Sequence, residues 1–316
     1  MAEKMTTLQG AAVELTRDAS TVREAAVSEQ PRRPFPWGKV IVYAVLIFGA
    51  ITALYPFFWM ISASLMTNAE VSAGSLFPSQ PLLENYPLAW ERANFSQFMW
   101  NSARITVIRL FGTLIFTIPA AYAFARMQFF GRNVLFAVFL STMMIPEVVT
   151  LIPNYLTVVW LGRFSETVLG PGSGWINNWP SLTIPFMVST FNIFLLRQFF
   201  AQLPSELWDA ARMDGAGHLQ FLVRVVLPLS KAVIMTVVTF AFIGSWNALM
   251  WPLLVTQTDE WRPVAVGLTK FVNSDAPGEF NLQMAASVIM LIPILVLYFF
   301  TQRQFTEGIA TTGLKG

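Results

Sequence analysis

Cysteine is absent from this chain of 316 residues. That excludes disulfides, Cys-ligated zinc, iron–sulfur clusters and thiol nucleophiles. Histidine occurs once, at His218, so no multi-histidine metal site can form, and no metal or other cofactor is expected. Charge is also scarce: 12% of the residues are Asp, Glu, Lys or Arg, where soluble domains carry about 25%. With 55% hydrophobic residues, much of the surface needs lipid rather than water as its solvent. A net charge of +2 gives no sign of a nucleic-acid partner. No G-x-x-x-x-G-K-[ST] loop is present, so the chain carries no P-loop nucleotide site. No short apolar core with a small-residue cleavage site precedes the first apolar run, and no removable leader is expected.

What is abundant is long apolar sequence. Six runs stand out: Val40 to Leu65, Ile105 to Ala125, Val134 to Pro153, Leu182 to Leu196, Ala232 to Val255 and Met284 to Phe300. Each approaches the length that crosses roughly 30 Å of hydrocarbon as a helix. Backbone groups in lipid must be satisfied within the segment, and the runs lack the alternation of barrel strands. The expectation is an all-α polytopic membrane protein with six transmembrane helices. Pro56, Pro146, Pro185, Pro252 and Pro293 fall inside these runs or near their ends and predict kinks.

Basic residues set the orientation. Arg32, Arg33, Lys39, Arg126, Arg132, Arg197, Arg212, Arg224, Lys231, Arg303 and Lys315 fall on one side, against Arg92, Arg104, Arg163, Arg262 and Lys270 on the other. Both termini are therefore expected in the cytoplasm of a plasma (inner) membrane protein. Residues 1–38 read as a polar cytoplasmic tail, with Thr6 to Ala26 able to form a surface helix, and residues 39–316 as the transmembrane domain. Outer loops are expected at about 66–104, 154–181 and 256–283. The tryptophans at 90, 100, 160, 175, 179 and 261 read as interface anchors.

The cytoplasmic segment Gln198 to Lys231 is longer than a helix–helix connection needs, and it is patterned. Ser205 with Glu206 reads as a helix start. Leu207, Ala210 and Ala211 give one small apolar face, Gly215 and Gly217 break the helix, and a second amphipathic piece runs to Pro228. Two short helices bent at glycine are expected over about 201–230, a shape suited to docking. His218 reads as a surface or docking residue. Lipid-seeking helices favour Lys and Arg on their polar face, whereas this one mixes Glu206, Asp209, Arg212 and Asp214.

Five residues within apolar sequence are candidates for a translocation path. Arg109 and Glu147 are the charges set deepest in apolar runs and are expected to meet as an ion pair or to contact solute. Asn192 and Asn247 serve either in interhelical hydrogen bonding or in lining a pore, and Trp246 beside Asn247 offers a face on which a sugar can stack. No catalytic set is visible.

The spacing Asp209-Ala210-Ala211, three residues, Gly215, nine residues, Val225, one residue, Leu227-Pro228 resembles the Glu-Ala-Ala signature of ATP-binding-cassette importer permeases. Asp209 and Val225 replace its Glu and Ile. From about Trp37 onward the chain is similar to the carbohydrate (maltose-type) branch of that family. The similar pieces are Tyr55-Pro56-Phe57-Phe58-Trp59-Met60, Leu83-Glu84-Asn85-Tyr86, Asn101-Ser102, Ala120 to Arg126, Met144-Ile145-Pro146, Leu195 to Phe200, Ser245-Trp246-Asn247 and Met284 to Ser287, with the ending Gln302-Arg303, Gly308 and Lys315-Gly316.

The resemblance implies the type I importer permease fold and a coupling helix seated on a separate ATPase. Glu206, Asp209, Ala210, Ala211, Asp214, Gly215, Leu227 and Pro228 would form it. It also implies a homologous second permease, an ATP-binding-cassette ATPase dimer and an extracytoplasmic solute-binding protein as partners, with a sugar, polyol or oligosaccharide as cargo. The alternatives are a stand-alone secondary transporter or channel, which would show ion-coupling carboxylates or inverted repeats, and a membrane-embedded enzyme, for which suitable residues are nearly absent.

Overall fold

A computed structural model describes residues 37–272 and 279–312, with side chains at 38–272 and 279–302. The expected polar tail and its surface helix lie outside the described residues, as do the side chains of the C-terminal pieces from Arg303 onward. Among the described residues the chain is helical and contains no strand.

Two units are distinguished, residues 1–56 and 57–316. The described part of the first is most of α1 (Trp37–Ser64), which continues through Pro56. Every side chain from 38 to 56 is exposed, although the helix is apolar all round. A helix of that kind is stable only in a core or in lipid.

The second unit holds α2 (Asn68–Ser72), α3 (Asn85–Arg92), α4 (Phe95–Arg126), α5 (Arg132–Ser141), α6 (Glu147–Leu169), α7 (Trp179–Thr183) and α8 (Thr190–Gln202). It continues with α9 (Glu206–Met213), α10 (His218–Phe221), α11 (Leu227–Leu229), α12 (Lys231–Trp246), α13 (Met250–Val255), α14 (Val264–Gly267) and α15 (Phe280–Thr312). Four stretches are long and apolar enough to cross a membrane: Gly38–Ser64, Phe95–Arg126, Trp179–Gln202 (α7, a 3₁₀ turn and α8) and Phe280–Gln302. Two bent pairs bring the number to six when each is counted as one span. Arg132–Met144 and Glu147–Leu169 meet at 105°, and His218–Leu229 and Lys231–Trp246 at 83°.

The first of these bends, and a separate break between α12 and α13, correct two expected spans. The run from Val134 to Pro153 is broken where Pro146, which has no N–H to donate, follows the short 3₁₀ turn Thr142–Met144. The run from Ala232 to Val255 is interrupted between Trp246 and Met250. The expected outer loop at 154–181 is also largely helix, since α6 continues to Leu169 and ends at Gly170 with φ +96°.

Helix α4 is the central element and packs on α8, α12 and α14. At its N-terminal end Asn101 Nδ2 donates to the carbonyls of Arg262 (2.8 Å) and Asp259 (3.2 Å), and the Ser102 hydroxyl accepts from the Val264 N–H (2.7 Å). The segment from Thr256 to Phe271 is thereby fixed to the helix. Asp259 holds it together from within. Burial pushes the Asp259 carboxyl up, but its bonds to Lys270 (2.6 Å) and Arg262 (3.2 Å) leave it below the ordinary value. Gly267 sits so close to Phe98 that a Cβ there would lie 2.6 Å from the ring.

Asn85 is buried, and its amide donates to the carbonyls of Ser64 (2.9 Å) and Met66 (2.8 Å) while its Oδ1 accepts from Asn281 (3.2 Å). An unmatched buried amide would cost about 1–3 kcal/mol, so this junction has one favourable register. Ala285 and Ala286, with no exposed surface, let α15 approach α3 closely. The α2 turn is closed by a reciprocal cap: Thr67 accepts from the Glu70 N–H and Glu70 accepts from the Thr67 N–H.

Candidate functional site

The loop between α8 and α12 forms from local rules. Helix α9 starts after Pro204 with two carboxylates, Glu206 and Asp209, in its first turn and Arg212 in its last, each opposing the helix dipole favourably. The expected Ser205 side-chain cap is not made. Ser205 already has helical angles, and only its carbonyl serves, accepting from Trp208 (2.9 Å) and Asp209 (3.1 Å).

The helix ends at Gly215 with φ +78°. The Ala216 N–H reaches the Ala211 carbonyl (2.9 Å) and the Gly215 N–H the Arg212 carbonyl (3.0 Å). This pair of bonds is the Schellman closure, which places a left-handed residue at Gly215. Gly217 has φ −81° and needs no glycine on conformational grounds, so one glycine makes the bend, not two. A short π stretch, Leu222–Val226, then leads into Leu227 and Pro228 at the start of α11.

The face that packs inward differs from the expected one. Trp208 and Ala211 contact the core made by Ala121, Tyr122, Leu196, Phe200, Phe221 and Val226. Leu207 and Ala210 are exposed, because the larger indole fills the space against α4 and rotates the helix toward itself. The outward face therefore carries Glu206, Leu207, Asp209, Ala210, Met213, Asp214 and Gly215, all exposed. No side-chain bond to the three carboxylates occurs among the described residues.

His218 has a definite place. Its ring stacks on Trp208 at 4.4 Å and 10° between planes, and its Nδ1 lies 2.9 Å from Tyr122 Oη. Trp208 also meets Phe221 edge-on, and Arg126 donates to the Pro204 carbonyl (3.0 Å). Both limbs of the bent loop are tied to the same end of α4. Sequence reasoning missed Trp208 and met Tyr122 only within the Ala120 to Arg126 piece, without a role; the available signal for the indole was the i, i+3 spacing of Trp208 and Ala211.

A second feature is a cavity of about 510 Å³ bounded by α4, α6, α7, α12 and α13. Arg109, Glu147 and Asn247 all line it, with Phe186, Ser245 and Trp251. The expected Arg109–Glu147 ion pair is not formed: neither residue has an ionic partner within 4.0 Å among the described residues. Glu147 begins α6 beyond the Pro146 bend, while the Arg109 guanidinium lies over the Phe186 ring, 4.4 Å from its centre.

Trp246 and Asn192 do not line this cavity. Trp246 is buried, stacks on Phe242 (5.4 Å, 8°) and donates its Nε1–H to the Met290 carbonyl (3.1 Å). Asn192 is buried in the first turn of α8, where the Ser189 hydroxyl accepts from its backbone N–H. Of the six tryptophans read as interface anchors, Trp90, Trp100, Trp160 and Trp179 are exposed. Trp175 and Trp261 instead pack on the cluster beside the cavity, with Arg104 lying over Trp261 at 3.6 Å.

Helices of membrane-crossing length, broken spans and a bent helical loop fit a membrane transport permease. Residues 93–310 match the family described as "Binding-protein-dependent transport system inner membrane component". The sn-glycerol-3-phosphate transport system permease protein UgpE of Brucella abortus (strain 2308) is 32% identical over 287 residues, covering 88% of this chain and 98% of that one. Its counterpart in Agrobacterium fabrum (strain C58 / ATCC 33970) is 30% identical over 287 residues, with the same coverage. Among solved structures, a bacterial ABC transporter involved in the import of the acidic polysaccharide alginate has a chain with a TM-score of 0.74. Identity is 27%, over 86% of this chain and 98% of that one. This chain belongs to the family of binding-protein-dependent transport system inner membrane components, as a membrane-spanning permease subunit of an ATP-binding-cassette importer.

Proposed function

We propose that this permease forms half of the translocation path for a sugar or a related polyol or oligosaccharide, paired with a homologous second permease. Two ATPase subunits sit on its cytoplasmic side and hydrolyse the ATP, and an extracytoplasmic binding protein delivers the solute. Both termini lie in the cytoplasm, residues 1–38 form a tail, and residues 39–316 form the transmembrane domain with its coupling loop at about 201–230. The cargo reading is supported by the names of the relatives, which carry sn-glycerol-3-phosphate and alginate.

One observation carries the reading. The Asp209-Ala210-Ala211, Gly215 and Leu227-Pro228 spacing folds as a helix, a left-handed bend and a second helix fastened to α4, with its outer face free. Such a lever moves as a body with the spans. Glu206, Asp209 and Asp214 offer carboxylates to an ATPase cleft, Ala210 permits close approach, and Ala211 packs inward. Closure of the ATPases on ATP would shift the population between inward- and outward-facing states through differential contacts at this face. Arg109, Glu147 and Asn247 line the solute path, while Trp246 and Asn192 brace the helices around it.

The test is reconstitution in liposomes. The chain together with its ATPase, second permease and binding protein should accumulate solute on ATP addition, and the chain alone should neither conduct nor accumulate. Ion-gradient-driven uptake by the lone chain would establish a secondary transporter instead. The native absence of cysteine makes orientation directly readable. A Cys at Ser173 should react from outside in intact cells and a Cys at Arg126 only after permeabilisation, and the reverse pattern would invert the topology.

A further inference from the structure

The cavity bounded by α4, α6, α7, α12 and α13 contains a guanidinium whose donors the protein leaves unused. Other arginines near this end of the chain are engaged. Arg104 donates to Asn101 Oδ1 and the Glu260 carbonyl, and Arg262 to Asp259 and the Thr256 carbonyl. Arg109 makes no hydrogen bond, and no ion pair within 4.0 Å, among the described residues; it lies over the Phe186 ring and feels the charge of Glu147. Its nitrogens are also absent from the polar atoms that are sealed from solvent without a partner. They are therefore not sealed from solvent, and the residue lines the cavity.

We propose that this cavity recognises an oxyanion, a carboxylate or phosphate carried on a polyhydroxy solute, and that Arg109 is the group that reads it. The inference rests on the translocation-path reading above and narrows it from saccharides and polyols in general to acidic ones. A guanidinium resting over an aromatic ring with no hydrogen-bond partner keeps its N–H donors available, and that planar fork matches carboxylate and phosphate geometry with two parallel bonds. The exposed Asn247 amide supplies a donor and an acceptor for hydroxyl groups, and Phe186 and Trp251 supply apolar wall.

Among the described residues, Arg109 and Glu147 are the only charged ones lining the cavity, so the sign of its potential depends on which is less screened. Arg109 is partly buried in the α4 wall, whereas Glu147 is exposed at the start of α6. Solvent screens the exposed charge more strongly, which favours an anion placed beside Arg109. A neutral solute of the same shape leaves the fork without its acceptor, and sites built around a charged or hydrogen-bonding group discriminate strongly against such analogues.

The test uses the assembled importer without ATP, carrying one cysteine in place of Ala248, a cavity-lining residue in a chain with no native thiol. The thiolate displaces methanesulfinate from methanethiosulfonate reagents, and the rate is compared for the anionic sulfonatoethyl and the cationic trimethylammonioethyl forms. Arg109→Gln should lower the anion-to-cation rate ratio roughly tenfold, because one charge acts with opposite sign on the two reagents. Arg109→Lys should preserve the ratio, which also reports that the cavity is intact. Glycerol 3-phosphate or galacturonate should slow labelling, glycerol or galactose should not, and Arg109→Lys should weaken that protection by removing the fork. A ratio unmoved by Arg109→Gln, or protection by neutral polyols equal to that by their acids, would overturn the proposal. A shifted ratio in a chain that shows no ATP-driven uptake would sink the importer reading and leave the anion site standing.

Discussion

Replacing Gly215 by alanine tests the coupling loop through a single torsion. At this position φ is +78° and an added Cβ meets nothing within 4 Å, so a methyl group has room. The cost is conformational alone: a left-handed residue with a side chain is disfavoured by about 1–2 kcal/mol. A penalty of that size changes the ratio of bent to unbent loop roughly 5- to 30-fold, while the spans should insert and fold as before. Gly217 two residues on is the internal control. It has φ −81° and equally open surroundings, so Gly217→Ala should be silent. The measurement is co-purification of the ATPase and solute-stimulated ATP hydrolysis for wild type, Gly215→Ala and Gly217→Ala side by side. Gly215→Ala should reduce both, and Gly215→Asp should reduce them further by adding a charge to the docking face. Equal behaviour of the two alanine variants would refute the argument that the left-handed bend transmits the coupling.

Tyr122→Phe removes the hydroxyl bonded to His218 at 2.9 Å, a loss of about 1 kcal/mol. It should lower the number of solute molecules imported per ATP while leaving ATPase binding intact, as a flux-to-hydrolysis ratio would show. Gly162→Ala should destabilise the chain by about 1–3 kcal/mol, because the new Cβ would lie 2.8 Å from the Trp175 backbone nitrogen. Gly112→Ala would press its Cβ into Met187 Cγ and should likewise lower the melting temperature in detergent. Glu70 is held at about 2 rather than 4.5, chiefly by the Ser79 hydroxyl and then by the Thr67 and Ser79 backbone N–H groups. Since the folded value is the lower one, its contribution is complete above about 4.5 and is lost as pH falls toward about 2. Proteolytic protection of residues 66–80 should decline across that window, and Glu70→Gln should abolish the pH dependence.

The short pieces that resembled the carbohydrate branch turn out to have physical tasks in this chain. Asn101-Ser102 fixes the segment before α15 to α4, Asn85 joins the end of α1 to α15, Pro146 turns α5 into α6, and Tyr122 reaches the bent loop. The sequence alone exposes such residues only as isolated polar or proline positions within apolar surroundings. Their partners lie as far away as the 196 residues between Asn85 and Asn281, and no local pattern encodes that separation.

Properties set by chain-local physics were readable from the sequence: the apolar runs that require lipid, the break at Pro146 (though not at Pro56 or Pro293, through which the helices continue), the absence of thiol and P-loop chemistry, and the glycine that ends α9. Each depends on solvation or torsion within a few residues. The tertiary structure decided which side of α9 faces inward, because Trp208 competes with Leu207 and Ala210 for one space beside Tyr122 and Phe221. It also decided that Arg109 and Glu147 share a cavity without pairing, because the bend at Pro146 and the Phe186 ring set their separation. Periodicity gives the rotation of a residue about its own helix axis; the distance between charges on two helices depends on how those helices pack.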